Sequence, residues 1–166
     1  PPSVSNNAGD RITAYTYDKN GNRLSEARSG VLVHNGAGGT NTVTSTIGYL
    51  YNGLGQVVRK TEATGDQFNY LYDAGGRLTK ETRPSFDSQV APSLDYFYDG
   101  LGNVVRTVQG SGYPAGMRVT QYKYGPGGRL TQVIDAEGAS RNYVYDRAGR
   151  LVLEHYVRTI ESMYSF

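Results

Sequence analysis

The sequence has no cysteine, no tryptophan and only two histidines among 166 residues. Without cysteine there is no disulfide framework and no thiolate nucleophile or thiolate metal ligand. No apolar run approaches the roughly 20 residues that a membrane-spanning helix needs, so no membrane insertion is expected. Charge of one sign is also scarce: 17 basic residues face 15 acidic ones, for a net charge of +2. That near-balance excludes the basic stripe of a nucleic-acid-binding surface and gives no reason to expect attraction to an anionic membrane. No stretch of useful length has helical periodicity. The chain starts Pro1-Pro2, shows no leader segment and has no Met before Met117, and reads as a piece of a longer protein.

What is present in excess is glycine, with 22 residues, and tyrosine, with 15. Tyrosine favours strands and glycine favours turns, so the composition predicts many short strands joined tightly. At this length the chain is expected to be able to bury a core.

An internal repeat organises twelve of the tyrosines. Six segments share a Tyr-x-Tyr core with a glycine four positions after the second tyrosine. They are Tyr15, Tyr17, Asp18 and Gly21; Tyr49, Tyr51, Asn52 and Gly55; Tyr70, Tyr72, Asp73 and Gly76; Tyr96, Tyr98, Asp99 and Gly102; Tyr122, Tyr124, Gly125 and Gly128; and Tyr143, Tyr145, Asp146 and Gly149. A basic residue and an aliphatic follow the glycine as Arg77-Leu78, Arg129-Leu130 and Arg150-Leu151, with Gln56-Val57 and Asn103-Val104 as softer versions. The first copy reads as having one extra residue, Asn22, before Arg23-Leu24.

Each copy predicts a β-hairpin. Period two puts both rings of Tyr-x-Tyr on one face of a strand. The aspartate that follows can turn its carboxylate back onto nearby backbone N–H groups. The glycine supplies a positive φ, and the next residues begin a second strand. Asn52 keeps this turn chemistry, whereas Gly125-Pro126 predicts a stiffer turn of similar reach.

The second tyrosines are spaced by 34, 21, 26, 26 and 21 residues. The short interval fits two strands and two turns, and the longer ones predict loop insertions. These are Ser29 to Thr46, with a flexible Asn35-Gly36-Ala37-Gly38-Gly39 turn, Pro84 to Pro92, and Gly110 to Gly116.

One hairpin is marginal alone. Six in series predict an all-β fold of class tandem β-hairpin, a continuous antiparallel sheet over residues 1–166 as a single array. Twelve strands at about 4.8 Å would extend roughly 55–60 Å and must coil. The residues between the tyrosines are Thr16, Leu50, Leu71, Phe97, Lys123 and Val144, so both faces carry apolar character. Uncapped edges predict edge-to-edge self-association.

The residues Tyr72-Asp73-Ala74-Gly75-Gly76-Arg77-Leu78, Tyr145-Asp146-Arg147-Ala148-Gly149-Arg150-Leu151 and Tyr17-Asp18-Lys19-Asn20-Gly21-Asn22-Arg23-Leu24 carry a family resemblance. Over essentially its whole length the chain resembles the YD-repeat, or Rhs-repeat, family. That family includes bacterial Rhs and contact-dependent toxins, the B and C components of insecticidal toxin complexes, wall-associated proteins and teneurins. The resemblance implies a strip of hairpins that spirals into a hollow shell, and in the toxins a shell enclosing a cytotoxic C-terminal domain. It implies the rest of such a shell and its enclosed domain as partners, and a secreted or cell-surface, bacterial setting. The self-cleaving segment in which bacterial members often end is not in this sequence.

Little else suggests chemistry. His34 lies in a Gly-rich insertion and His155 in a strand-like run, and neither has an evident catalytic partner. Asp18, Asp73, Asp99 and Asp146 sit before turns, which accounts for them as turn caps rather than paired catalytic acids. The stretch Asp18 to Asn22 lacks the glycine and glutamate positions of a calcium loop, and the Gly clusters lack the Lys-Ser/Thr of a phosphate loop. The sequence therefore predicts no enzyme, no catalytic or metal site and no cofactor. Exposed tyrosines leave a carbohydrate- or protein-binding face as the alternative to encapsulation.

Overall fold

The computed structural model describes residues 11–85, 90–110 and 117–158. Parts of the insertions expected at Pro84 to Pro92 and Gly110 to Gly116 lie outside them, as do Pro1-Pro2.

The described residues form twelve antiparallel strands and no helix. The strands are β1 (Thr13–Tyr17), β2 (Arg23–His34), β3 (Thr40–Tyr51), β4 (Val57–Thr61), β5 (Gln67–Tyr72), β6 (Leu78–Thr82), β7 (Ser93–Tyr98), β8 (Val104–Gln109), β9 (Arg118–Tyr124), β10 (Leu130–Ile134), β11 (Ser140–Tyr145) and β12 (Leu151–Val157). Their order in one open sheet is chain order, β1 to β12. Each Tyr-x-Tyr ends an odd-numbered strand, and the turn after it leads into the even-numbered partner. The chain divides into two compact units, 1–71 and 72–166.

Each of these turns closes with the same two backbone bonds. In the Asp73 turn, Asp73 N–H donates to Arg77 C=O at 2.9 Å and Gly76 N–H donates to Asp73 C=O at 2.9 Å. That is a three-residue hairpin loop, a type I turn followed by a left-handed residue. Gly76, at φ 79°, is the left-handed residue. The Gly125 turn keeps both bonds but has Pro126 followed by positive φ at Gly127 as well as Gly128. Proline then positive-φ glycine is the signature of a type II turn, which fits the expected stiffer variant of equal reach.

Beyond five of these turns the strand carries a bulge. Tyr98 pairs with Val104 but Phe97 pairs with Arg106, so Val105 is extra. The same shift makes Leu24, Val58, Thr131 and Val152 extra. An inserted residue switches which face the following side chains occupy. Simple alternation from the turn therefore assigns the second strand to the wrong faces. Arg59, Arg106 and Gln132 lie opposite Leu50, Phe97 and Lys123, on the face away from the tyrosines.

Two expectations are corrected. Asn22 is not an insertion: Asp18 N–H donates to Asn22 C=O just as Asp73 N–H does to Arg77 C=O, so Asn22 takes the position of Arg77 and Arg23 that of Leu78. The segment from Ser29 to Thr46 is mostly strand rather than loop. β2 and β3 are 12 residues each and continue pairing to His34↔Thr40 past a shift between Arg28 and Val31. Only Asn35 to Gly39 is turn, and it is an ordered one: Asn35 Oδ1 accepts from Ala37 N–H at 3.0 Å and Gly39 N–H at 3.1 Å.

The expected capacity for a core is not used. Among the described residues the only buried apolar side chain is Ala139, and no large side chain is fully buried. A single layer has no opposing layer to pack against, so side chains on both faces remain half-open. All seven residues of β12 are exposed, as are all five of β1.

Candidate functional site

In the absence of a core, neighbouring hairpins hold together through rows of equivalent side chains. The first row lies along the turn edge. Asp18 Oδ1 accepts from the N–H groups of Asn20 and Asn22 at 2.9 and 2.8 Å, and its Oδ2 accepts from Asn22 Nδ2 at 2.8 Å. Asp99 repeats this with Leu101, Asn103 and Asn103 Nδ2, each at 2.9 Å. In the Asp73 and Asp146 turns an arginine takes the asparagine's place: Arg77 Nε donates at 2.7 Å and Arg150 Nε at 2.8 Å. These bonds favour the ionised carboxylate and hold all four aspartates below their ordinary pKa. The main cause is the Asn22 and Asn103 side chains at Asp18 and Asp99, and the Arg77 and Arg150 backbone N–H groups at Asp73 and Asp146.

At four of the six turns the residue after the glycine, Asn22, Arg77, Asn103 or Arg129, also serves the next turn. A Cβ on Gly149 would lie 2.5 Å from the Arg129 guanidinium, and one on Gly55 would lie 3.5 Å from Asn22 Oδ1. Arg77 reaches the Asp99 carbonyl at 3.4 Å and stands over the Tyr98 ring at 4.8 Å. The glycines thus provide both a left-handed backbone and room for the preceding hairpin's polar side chain.

The second row is made by the second tyrosine of a repeat. Tyr51 Oη donates to Arg23 C=O at 2.8 Å, Tyr98 Oη to Leu78 C=O at 2.7 Å, and Tyr124 Oη to Val104 C=O at 2.9 Å. The three acceptors are equivalent, each two residues after a turn glycine. The ladder to the next strand begins beyond them, at Ser25↔Gly48, Lys80↔Asp95 and Arg106↔Gln121. The hydroxyl therefore supplies a hydrogen bond where strand pairing has not yet started. Burial raises the pKa of Tyr72, Tyr96 and Tyr124, as expected for rings between hairpins.

The third row lies on the opposite face, at the residue before the first tyrosine. Arg59 Nε donates to Asn69 Oδ1 at 3.0 Å, Lys80 Nζ to Asp95 Oδ1 at 3.0 Å, and Gln132 Nε2 to Asn142 Oδ1 at 2.8 Å. Each bond crosses from the end of one hairpin to the start of the next. Sequence reasoning missed this row because its members share polarity but not identity, and the bulge hides their common face. It also missed two turns of the same design on the opposite edge, Glu62 to Asp66 and Asp135 to Ala139. Their signal, an acidic residue three before a positive-φ glycine, was readable at Gly65 and Gly138.

One cluster departs from the repeat. Arg23 stands where other copies have an aliphatic, 5.7 and 5.0 Å from the ring centroids of Tyr15 and Tyr49. Glu26 lies close by, 7% exposed and bridged to Arg23 at 3.0 Å and Arg28 at 2.6 Å. The ion pairs and stacked rings stand in for the missing apolar contact.

His34 and His155 are exposed, and no described group of histidine, aspartate and glutamate residues could hold a metal ion. What the geometry supports is lateral assembly: in these rows one hairpin presents the turn partners, carbonyls or polar donors that the next hairpin's glycine, tyrosine or polar acceptor uses.

These features define a tandem β-hairpin repeat protein whose sheet is held by rows of equivalent contacts. The chain belongs to the RHS Repeat family, whose model matches residues 51–85, 98–140 and 128–159, more than half of its length. No protein of curated function matches it. Similar solved structures include that of TcdB2-TccC3-Cdc42, at TM-score 0.67 and 18% identity over 85% of this chain and 7% of that one. TcdB2-TccC3-TEV is similar at TM-score 0.68 and 17% identity, over 86% and 7%. The Tc holotoxin pore of Photorhabdus luminescens is similar at TM-score 0.59 and 20% identity, over 87% and 9%. The chain spans less than a tenth of the length of each of these relatives.

Proposed function

We propose that the chain is a wall segment of a hollow β-shell that encapsulates a C-terminal cargo or toxin domain in a larger bacterial protein, secreted or at the cell surface. The observation that carries this reading is a sheet with recurring hairpin-to-hairpin contacts and no buried core among the described residues. Such a sheet excludes water and proteases from one side without needing an active site. Family membership and the fold shared with toxin-complex chains support it. The residues of the repeat motif act as structural contacts, in a single array that forms part of a longer chain. Its partners are the adjoining strands of that shell, which complete the open edges at β1 and β12, and the enclosed domain. The work of this segment is structural, and no catalysis is assigned to it.

Electron microscopy of the parent protein tests the proposal, together with limited proteolysis of the cargo. A particle with a lumen and a cargo protected until the wall is opened are expected. A solid particle, or a cargo cleaved as fast within the parent as alone, would refute it. Selective binding on a glycan array, lost on Tyr72→Ala or Tyr98→Ala, would instead favour a carbohydrate-binding surface.

A further inference from the structure

We propose that the turn at Asn52-Gly53 is a self-modifying site, at which Asn52 loses ammonia and becomes aspartate, and that Asn35-Gly36 reacts in the same way while Asn20-Gly21 is protected.

All three asparagines precede a glycine, and a following residue without a side chain gives the least steric resistance to attack by its own backbone nitrogen. What separates them is the surrounding hydrogen bonding. Asn52 Oδ1 accepts from Leu54 N–H and Gln56 N–H, both at 3.0 Å. Two fixed N–H donors on a carbonyl oxygen polarise its carbon and stabilise the negative charge that builds on the oxygen during attack. They also hold the side chain folded back over its own turn in one fixed orientation. The turn's backbone bonds use Asn52 N–H and Gly55 N–H, so Gly53 N–H is not among them. Gly53 is exposed to water, and no atom lies within 4 Å of where its Cβ would be.

At Asn35 the oxygen is held alike, by Ala37 and Gly39 N–H. At Asn20 the arrangement is reversed. Gly21 N–H already donates to Asp18 C=O at 3.1 Å as part of the turn, so the would-be nucleophile is occupied. No backbone pair receives the Asn20 carboxamide oxygen; the local carboxylate of Asp18 takes those N–H groups instead.

The chemistry balances with water as the only co-reactant. Gly53 N bonds to Asn52 Cγ, its proton passes to Nδ2, and the Cγ–Nδ2 bond breaks to release ammonia and leave a succinimide. Water then adds to one ring carbonyl and opens the ring to aspartate or isoaspartate. The aspartate product is one this turn already accepts in four other repeats, at Asp18, Asp73, Asp99 and Asp146. Gln56 Oε1 accepts from Asn52 Nδ2 at 3.0 Å, and once that nitrogen has left, the Gln56 amide can turn over and present its N–H₂ to the new oxygen as Asn22 and Asn103 do. The modification therefore converts a variant turn to the form that predominates in the array.

The test is incubation of the full chain at mildly alkaline pH, folded and in urea, followed by peptide mapping by mass spectrometry. In the folded chain the Asn52 and Asn35 peptides should gain one dalton about tenfold faster than the Asn20 peptide, with aspartate the main product at Asn52. In urea the three rates should converge. Gly53→Ala, which the open space at Gly53 accommodates, should stop conversion at Asn52 alone. Faster conversion at Asn20 than at Asn52 in the folded chain, or equal rates at all three sites in both conditions, would overturn the proposal.

Discussion

Removing one oxygen atom, in Tyr98→Phe, tests how neighbouring hairpins are held. The substitution keeps the ring over which Arg77 stands and deletes only the donor to Leu78 C=O at 2.7 Å. A neutral intramolecular hydrogen bond contributes about 0.5–1.5 kcal/mol net, and a buried acceptor left without a partner costs about 1–3 kcal/mol. Tyr98 and Leu78 are both only half-buried, so water can partly replace the hydroxyl and the lower range applies: about 1 kcal/mol. Tyr124→Phe removes the equivalent bond to Val104. The two hydroxyls have different acceptors, the carbonyls of Leu78 and Val104, so their effects should add to about 2 kcal/mol. With a urea m-value of about 2 kcal/mol/M, the double variant should unfold about 1 M earlier at unchanged slope. Tyr17→Phe is the control. Its ring is 58% exposed on the first strand, and surface changes of this kind stay within about 0.5 kcal/mol. Urea titration followed by far-ultraviolet circular dichroism reads all of these. If Tyr98→Phe and Tyr124→Phe shift the midpoint no more than Tyr17→Phe does, the hydroxyl row contributes nothing and the lateral reasoning fails.

Two further outcomes follow from the turn row. Gly149→Ala forces a side chain into φ 81° and against the Arg129 guanidinium; it should cost about 1–2 kcal/mol by thermal denaturation. Gly100→Ala, with open space and no positive φ, should change stability little. The turns should also respond to acid. Asp18, Asp73, Asp99 and Asp146 have folded pKa values below the unfolded one. Their stabilisation is therefore complete above about pH 4, the ordinary carboxylate value, and is lost as pH falls through the lowered folded values. The backbone N–H resonances of Asn22, Arg77, Asn103 and Arg150 should titrate in that range by NMR, while those of Gln56 and Arg129, in turns led by Asn52 and Gly125, should not. A shift of all six together would contradict a local carboxylate origin.

The sequence made the Tyr-x-Tyr strands, the turns that follow them and the pairing order legible because each rests on local chemistry. Tyr-x-Tyr has the period of a strand, and Asp73-Ala74-Gly75-Gly76 has the donors, acceptors and backbone freedom of one turn type. Face assignment beyond the turn was not legible, since the extra residue at Val58, Val105 or Thr131 leaves no compositional mark: a valine in a bulge reads like a valine in register. The polar row through Arg59, Lys80 and Gln132 was hidden for the same reason. Asn22 was misread because an asparagine stands where most copies have a longer donor. The shared backbone bond from the aspartate N–H and the shared side-chain bond to the aspartate's second oxygen reveal that asparagine and arginine do the same work there.

The repeat motif and the variable positions therefore answer to different constraints. The turn glycine and the second tyrosine act within a hairpin and across to its neighbour, so a change at one of them disturbs two units at once, whereas the turn carboxylate bonds within its own turn. Residues such as Thr16, Leu50, Phe97 and Val144 meet no equivalent on the next hairpin's turn or hydroxyl row, and Leu50, Phe97 and Val144 stay 40–52% exposed. In a chain with a core, that much open apolar surface would have been drawn inward by the hydrophobic effect. Here the in-register backbone and the three rows of contacts fix the sheet first and leave the face open. Stability thus comes from nearest-neighbour terms between hairpins, as in other repeat arrays, and the apolar face is left free to meet whatever lies against the sheet.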